Sequence, residues 1–339
     1  MLYTTTRNLK DTYTCQRALT QDRAPDGGFY IPFREPCFDP AHLQQMQDFR
    51  ETTVEMLNLL FGTRLTAWDL EYTIGRHPVR ISKIGRRTLS CERWRNPRWT
   101  FQGMVQELTD KIRVETGDSW GPWAEIGVGI ATLFGLFGKI RGQDLAAPGE
   151  KLDVAVSAGN LRSLISVWYA RAWGLPIGTI ICGCSESSGL WDLLHNGEMP
   201  VFSAASGGKT DVCPEEMEIL MHLCGGQREA QRYVECCRKG KAFRPMDLTL
   251  ERLKAGLSVS VISEKRTLTT IPAVYSTHRY LLSPSRAAAY AGLRDYRAGT
   301  SAGSWGLILC DRGPNLDEAS LGRAMGVSPE QIRRILNQL

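Results

Sequence analysis

The sequence predicts a mixed α/β fold behind a mainly helical leading unit, and three observations carry that prediction. Leu152 to Val156 is a short valine-rich run of the kind buried in parallel sheets, and Ser157 to Asn160 breaks it. Leu161 to Trp173 then places Leu161, Leu164, Trp168 and Ala172 on one helical stripe. Gly174 stops that helix and Pro176 to Ile181 opens a second strand, which completes a βαβ unit.

The leading unit, residues 1–85, is read in chain order. Ala24, Pro25, Asp26, Gly27 and Gly28 are turn chemistry, because proline presets φ and the paired glycines accept positive φ. Asp39 before Pro40 predicts a helix with the aspartate as N-cap and the proline in the first turn. Glu51 to Phe61 carries Val54, Leu57 and Leu60 at helical spacing. Beyond residue 85, the apolar run Ile126 to Gly138 falls short of the roughly 20 residues a bilayer core requires and predicts a buried helix. Asp247 to Ala255, with Asp247 as N-cap, Pro284 to Asp295 and Leu316 to Met325 predict further helices. Trp305 to Cys310 predicts a late strand.

Composition excludes more than it assigns. A net charge of +5 over 339 residues is too small an excess to name nucleic acid or anionic lipid as partner. No basic stretch followed by an apolar run opens the chain, so the expectation is a cytoplasmic protein without a secretory signal. The ten cysteines include no C-x-x-C pair, and only Cys224 has a close histidine, His222. Reduced thiols and no metal site are expected.

Several segments together resemble the threonine synthases, pyridoxal phosphate (PLP) enzymes of fold type II. Tyr3 to Arg7 and Leu19 to Pro32 are similar to the family's N-terminal domain, and Ala24 to Pro32 to its APDGG(L/F)Y(V/I)P string. Residues 148–160 resemble the P(T/S)GN phosphate loop and the strand before it, and Gly174 to Cys182 the GLPI strand. The resemblance implies a tryptophan synthase β-like large domain over 86–339, behind a threonine synthase N-terminal domain over 1–85. It also implies that the small cofactor domain is largely missing, because only about twenty residues fill the stretch between about 105 and 125. Thr116 to Ser119 is only a weak match to that domain's TSGDTG loop, being four common residues.

The chemical positions depart from the family. Fold type II chemistry needs a lysine amine that condenses with PLP, which then acts as electron sink. The segment Glu92 to Met104 keeps the family register through Glu92, Trp94, Pro97, Phe101 and Met104, yet Gln102 stands at the lysine position. An amide nitrogen, delocalised into its carbonyl, does not condense with an aldehyde. Arg95 and Gly103 replace the family's histidine and aspartate. At the phosphate loop Ser157, Gly159 and Asn160 remain, while Arg162 takes a glycine position. Two readings of that loop follow: an inherited strand-to-helix turn, or a residual site for a phosphate-containing small molecule supplemented by Arg162. Asp153 and Glu186 are the acids expected to compete for that arginine. Ser283 to Ala288 stands for the family's DPHTAV, Ser185 to Ser187 for NEN, and Cys310 to Pro314 for ATAHP.

These departures predict a catalytically inactive homologue, a pseudoenzyme with a binding or regulatory role and no cofactor. The first alternative is an active PLP lyase converting O-phosphohomoserine to threonine and phosphate with Lys83, Lys111 or Lys139 as its lysine. A second, disfavoured alternative is a nucleic-acid binder through the C-terminal helices, where Arg333 and Arg334 make a thin electrostatic footprint.

Overall fold

A computed structural model describes residues 1–70, 79–92, 120–147, 149–185, 187–200, 215–300, 303–309, 314 and 317–338. The segments Leu152–Ser157 (β5) and Ile177–Cys184 (β6) lie side by side in one sheet, parallel, with Val156 opposite Cys182. Helix Leu161–Ala172 (α5) joins them, as the sequence predicts. The six strands run in the order β3-β4-β8-β5-β6-β7, with β3 at Arg80–Lys83, β4 at Thr88–Glu92, β7 at Leu257–Val261 and β8 at Trp305–Ile308. All neighbours are parallel except β3, which pairs antiparallel with β4 at the edge. From β5 the chain steps outward through β6 to β7, then returns to place β8 on the other side of β5. The order therefore reverses between β5 and β8, and in open α/β sheets ligands bind outside the carboxyl ends of the strands at such a reversal.

The leading residues carry a separate two-stranded sheet and share the main apolar core. Strands Tyr3–Thr5 (β1) and Tyr30–Pro32 (β2) pair antiparallel. Helices Cys15–Thr20 (α1), Pro40–Gln45 (α2) and Phe49–Phe61 (α3) accompany them. The predicted turn is present: Gly27 N–H donates to Ala24 O, Gly27 has φ +76°, and Gly28 N–H donates to the Asp26 carboxylate at 2.9 Å. Asp39 caps α2 by accepting from His42 N–H at 2.7 Å.

Helix α4, Pro122–Gly142, is the structural axis. Two turns longer than its uninterrupted apolar run, it has the length and composition of a membrane span, yet most of its surface is buried inside the chain. Its glycines admit the neighbours: a Cβ at Gly135 would lie 2.1 Å from Thr53 Oγ1 and 2.7 Å from the Phe49 carbonyl on α3. Helix α5 is buried more widely than the predicted stripe. Ile165, Ser166, Val167, Tyr169 and Ala170 are buried as well, while Ala172 is exposed. The reason is that α5 packs against the sheet on one side and α4 on the other.

The remaining helices are Gly189–Asn196 (α6), Met217–Arg238 (α7), Asp247–Gly256 (α8), Glu264–His278 (α9), Pro284–Thr300 (α10), Glu318–Met325 (α11) and Pro329–Gln338 (α12). Asp247 is the first helical residue and not the N-cap; Met246 takes that position with extended backbone, so Asp247 acts on the helix dipole alone. Helix α7 kinks at Gly226 (φ +77°). Helices α11 and α12 belong to a second apolar cluster through Leu321 and Ile332, and Arg333 is held by Glu318 at 2.6 Å.

A close backbone approach lies between β6 and α10, where a Cβ on Gly183 would meet the Ala288 carbonyl oxygen at 2.3 Å. Gly183→Ala should therefore lower stability by about 2–3 kcal/mol through overpacking. In the same helix Gly299 has open space around it, and Gly299→Ala should raise stability by up to about 1 kcal/mol. Urea midpoints for the two variants check the contrast.

Candidate functional site

The carboxyl end of β5 carries the loop singled out in the sequence. Ala158 N–H donates to Gly183 O at 3.0 Å and Asn160 N–H to Ser157 O at 3.2 Å, which folds the strand back into α5. Asn160 caps the helix, its side-chain oxygen accepting from Ser163 N–H at 3.1 Å. A Cβ on Gly159 would meet nothing within 4 Å, so the space in front of the turn is open.

Arg162 occupies the first turn of α5, and its guanidinium is already committed. Nη1 lies 2.5 Å from the Glu125 carboxylate in the first turn of α4, and Nε donates to Glu216, the residue before α7. Burial holds the Glu216 carboxyl above its ordinary value; Arg162 opposes that shift and Glu125 adds to it. Two carboxylates thus share one guanidinium beside the N-terminus of α5, which leaves that cation little to offer an anion. The expected competitor, Asp153, is elsewhere. It lies near the amino end of β5, accepting from Thr179 N–H at 2.8 Å and from the Ser304 hydroxyl. The acids that bind Arg162 come from the starts of two other helices, which spacing along the chain does not reveal. The visible signals were modest: Glu125 three residues after Pro122, and the pair Glu215 and Glu216 before an apolar helix.

Arg286 at the start of α10 is fully buried. Its guanidinium donates to the Cys91 carbonyl at 2.8 Å, at the carboxyl end of β4, and to the Tyr280 hydroxyl at 3.3 Å. Tyr280 donates in turn to Ser90 Oγ at 3.0 Å, and burial pushes its phenol up to about 12, against the pull of Arg286. A large cation thus fills a position where the resemblance implies threonine. Ser185 and Ser187 face each other at 3.3 Å across their hydroxyls.

Gln102, with Arg95 and Gly103, lies outside the described residues, as do Lys111, Thr116 to Ser119, Glu186 and Cys310 to Gly313. The two described alternative lysines sit away from the loop. Lys83 ends β3, which runs antiparallel, so it stands at the amino ends of the other strands with its amine 5.2 Å from the Trp305 ring. Lys139, in the last turn of α4, donates to the Val79 carbonyl. Among the described residues no cluster of three or more His, Cys, Asp or Glu side chains is placed to hold a metal. His222 and Cys224 are both largely buried; desolvation pulls the histidine down to about 4 and pushes the thiol up to about 12.

Residues 2–77 match the family model described as threonine synthase N terminus. Over 149 residues the chain is 24% identical to Threonine synthase-like 1 of Homo sapiens and of Macaca fascicularis. The leading segment carries the threonine synthase N-terminal signature, and the chain as a whole is similar to that family. The aligned region is 42% of this chain and spans about one fifth (20%) of the length of those curated relatives. The fold is that of the solved threonine synthases. The PLP-bound enzyme from Brucella melitensis superposes with a TM-score of 0.81 at 16% identity, covering 97% of this chain and 92% of that one. The yeast enzyme gives 0.79 at 15% identity, covering 99% and 94%.

The residues present do not fit PLP. Gln102, which the resemblance sets at the lysine register, offers no amine, the cation beside the Ser157 to Asn160 loop is paired with Glu125 and Glu216, and the buried Arg286 donates to the Cys91 carbonyl at the end of β4. Through these pairs Arg162 joins α4, α5 and α7.

That role has a pH signature. A carboxyl whose folded pKa is raised binds more protons in the folded state, so its cost to stability is absent below the unfolded value and complete above the folded one. In Arg162→Met the offset at Glu216 is gone and its folded value rises further. The variant should be destabilised by about 3 kcal/mol near pH 7, and the deficit should shrink as pH falls through the raised folded value toward 4.5. Chemical denaturation across that range checks the sign.

Proposed function

We propose that this threonine synthase-like protein is a pseudoenzyme: it retains the scaffold as a binding or regulatory protein and lacks PLP-dependent lyase chemistry. The observation that carries the reading is the occupation of Arg162 by two carboxylates at the loop where the fold would take a phosphate. It agrees with Gln102 at the lysine register. A general acid–base set, a ring-binding segment and an imine-forming lysine act as a unit, and here each of the three is altered at the positions the family resemblance marks.

Borohydride reduction of the purified protein in the presence of PLP, followed by peptide mass spectrometry, is the direct test. No pyridoxyl-lysine and no phosphate release from O-phosphohomoserine are expected. Gln102→Lys alone should restore neither, because Glu125 and Glu216 still occupy Arg162 and Arg286 still stands at the position where the resemblance implies threonine. A pyridoxyl-lysine on the parent chain, at Lys83, Lys111, Lys139 or elsewhere, with turnover, would establish the active-lyase alternative instead.

A further inference from the structure

A second concave feature lies at the opposite end of the sheet from the Ser157 to Asn160 loop. A cavity of about 750 Å³ opens where β5 and β6 begin, bounded by α2, the last turns of α4 and the loop leading into β5. That volume falls within the roughly 300–1,000 Å³ of small-molecule sites. Leu43, Phe137, Leu175 and Pro176 give it apolar walls.

Its charge balance is unusual. Arg141 and Arg171 both face the cavity. Arg141 donates to the Met46 carbonyl at 2.7 Å, and its Nε is buried with no partner. Arg171 donates to the Gly256 carbonyl at 2.9 Å and lies over the Trp168 ring. Among the described residues neither guanidinium is in an ion pair, and burial holds both below the ordinary arginine value. Lys151 stands exposed at the rim. The two lining carboxylates are already engaged. Asp153 accepts from Thr179 and Ser304, while Glu150 accepts from Ala147 N–H at 3.1 Å and faces Arg87 at 3.7 Å. The acids are satisfied from within the chain and the half-buried cations are not, the reverse of the situation at Arg162.

We propose that this cavity is a binding site for a small amphipathic anion, an apolar or aromatic body bearing one carboxylate or phosphate, held by Arg141 and Arg171. The apolar walls take the body and the guanidinium edges donate to the anion through charge-assisted hydrogen bonds, which are about twice as strong as neutral ones. The site is separate from the carboxyl-end loop and does not depend on the pseudoenzyme reading.

Calorimetric titration with phenyl phosphate, phenylacetate and the neutral isostere phenylacetamide tests it on the intact chain. At least one of the two anions should bind, and the better one identifies the head group. Phenylacetamide should bind at least about tenfold more weakly than that anion, and Arg141→Met should weaken the anion by about tenfold to hundredfold. Ala147→Trp changes an exposed residue on the rim, fills the cavity without touching the core and should abolish binding. Gly159→Leu, at the far loop, should leave the affinity unchanged. The proposal is overturned if neither anion binds at concentrations up to about 10 mM, a range in which millimolar affinity registers. It is equally overturned if the neutral isostere binds as well as the anions, if Ala147→Trp leaves the affinity intact, or if Gly159→Leu removes it.

Discussion

Three helices of this chain begin near a single guanidinium. Arg162 in the first turn of α5 meets Glu125 in the first turn of α4 and Glu216 at the head of α7. Acidic side chains are favoured in first turns and an arginine is not, so the two acids compensate a cation that the α5 dipole alone would disfavour. The junction is half-buried, which makes removal of one partner more costly than the pair's net contribution. It also joins the long buried helix α4 to the sheet through α5. The same pairs commit the guanidinium that an anion at the neighbouring loop would need, so scaffold and anion binding compete for one side chain.

A second ionic junction fastens the leading unit to the rest. Glu218, buried on α7, accepts from Thr6, from Arg7 at 2.8 and 2.9 Å, and from Arg23 at 3.4 Å. The Arg7 carbonyl also accepts from Gln231 at 2.9 Å. Residues two positions apart, Glu216 and Glu218, thus tie α7 to the sheet domain and to the N-terminal unit respectively. The segment that matches the threonine synthase N terminus, residues 2–77, is held in place by this charge pairing as well as by the apolar packing of α3 on α4.

Local signals in the sequence were sufficient for the βαβ unit, because a valine run, a helical stripe and Gly174 are each decided within a few residues. The same holds for the Ala24 to Gly28 turn and the Asp39 cap. The width of burial on α5 was not legible, since it depends on α4 covering the face away from the sheet. Nor was the fate of Arg162: its partners lie 37 and 54 positions away in sequence, and the nearer acid, Asp153, points to the other end of the strand. Arg286 shows the same limit. The sequence places it among small residues at the start of a helix, but only the fold brings it to the Cys91 carbonyl. The cavity at the amino ends of β5 and β6 drew no attention in the sequence, because its cations come from α4, α5 and the loop before β5.

The central claim is that the phosphate-loop position is held by the chain's own ion pairs. The measurement that bears on it most directly is a crystal structure grown in the presence of excess PLP. The account predicts Arg162 between Glu125 and Glu216, with no phosphate density against Ser157 to Asn160. Phosphate density on those loop amides, with Arg162 turned away from the two glutamates to meet it, would contradict it.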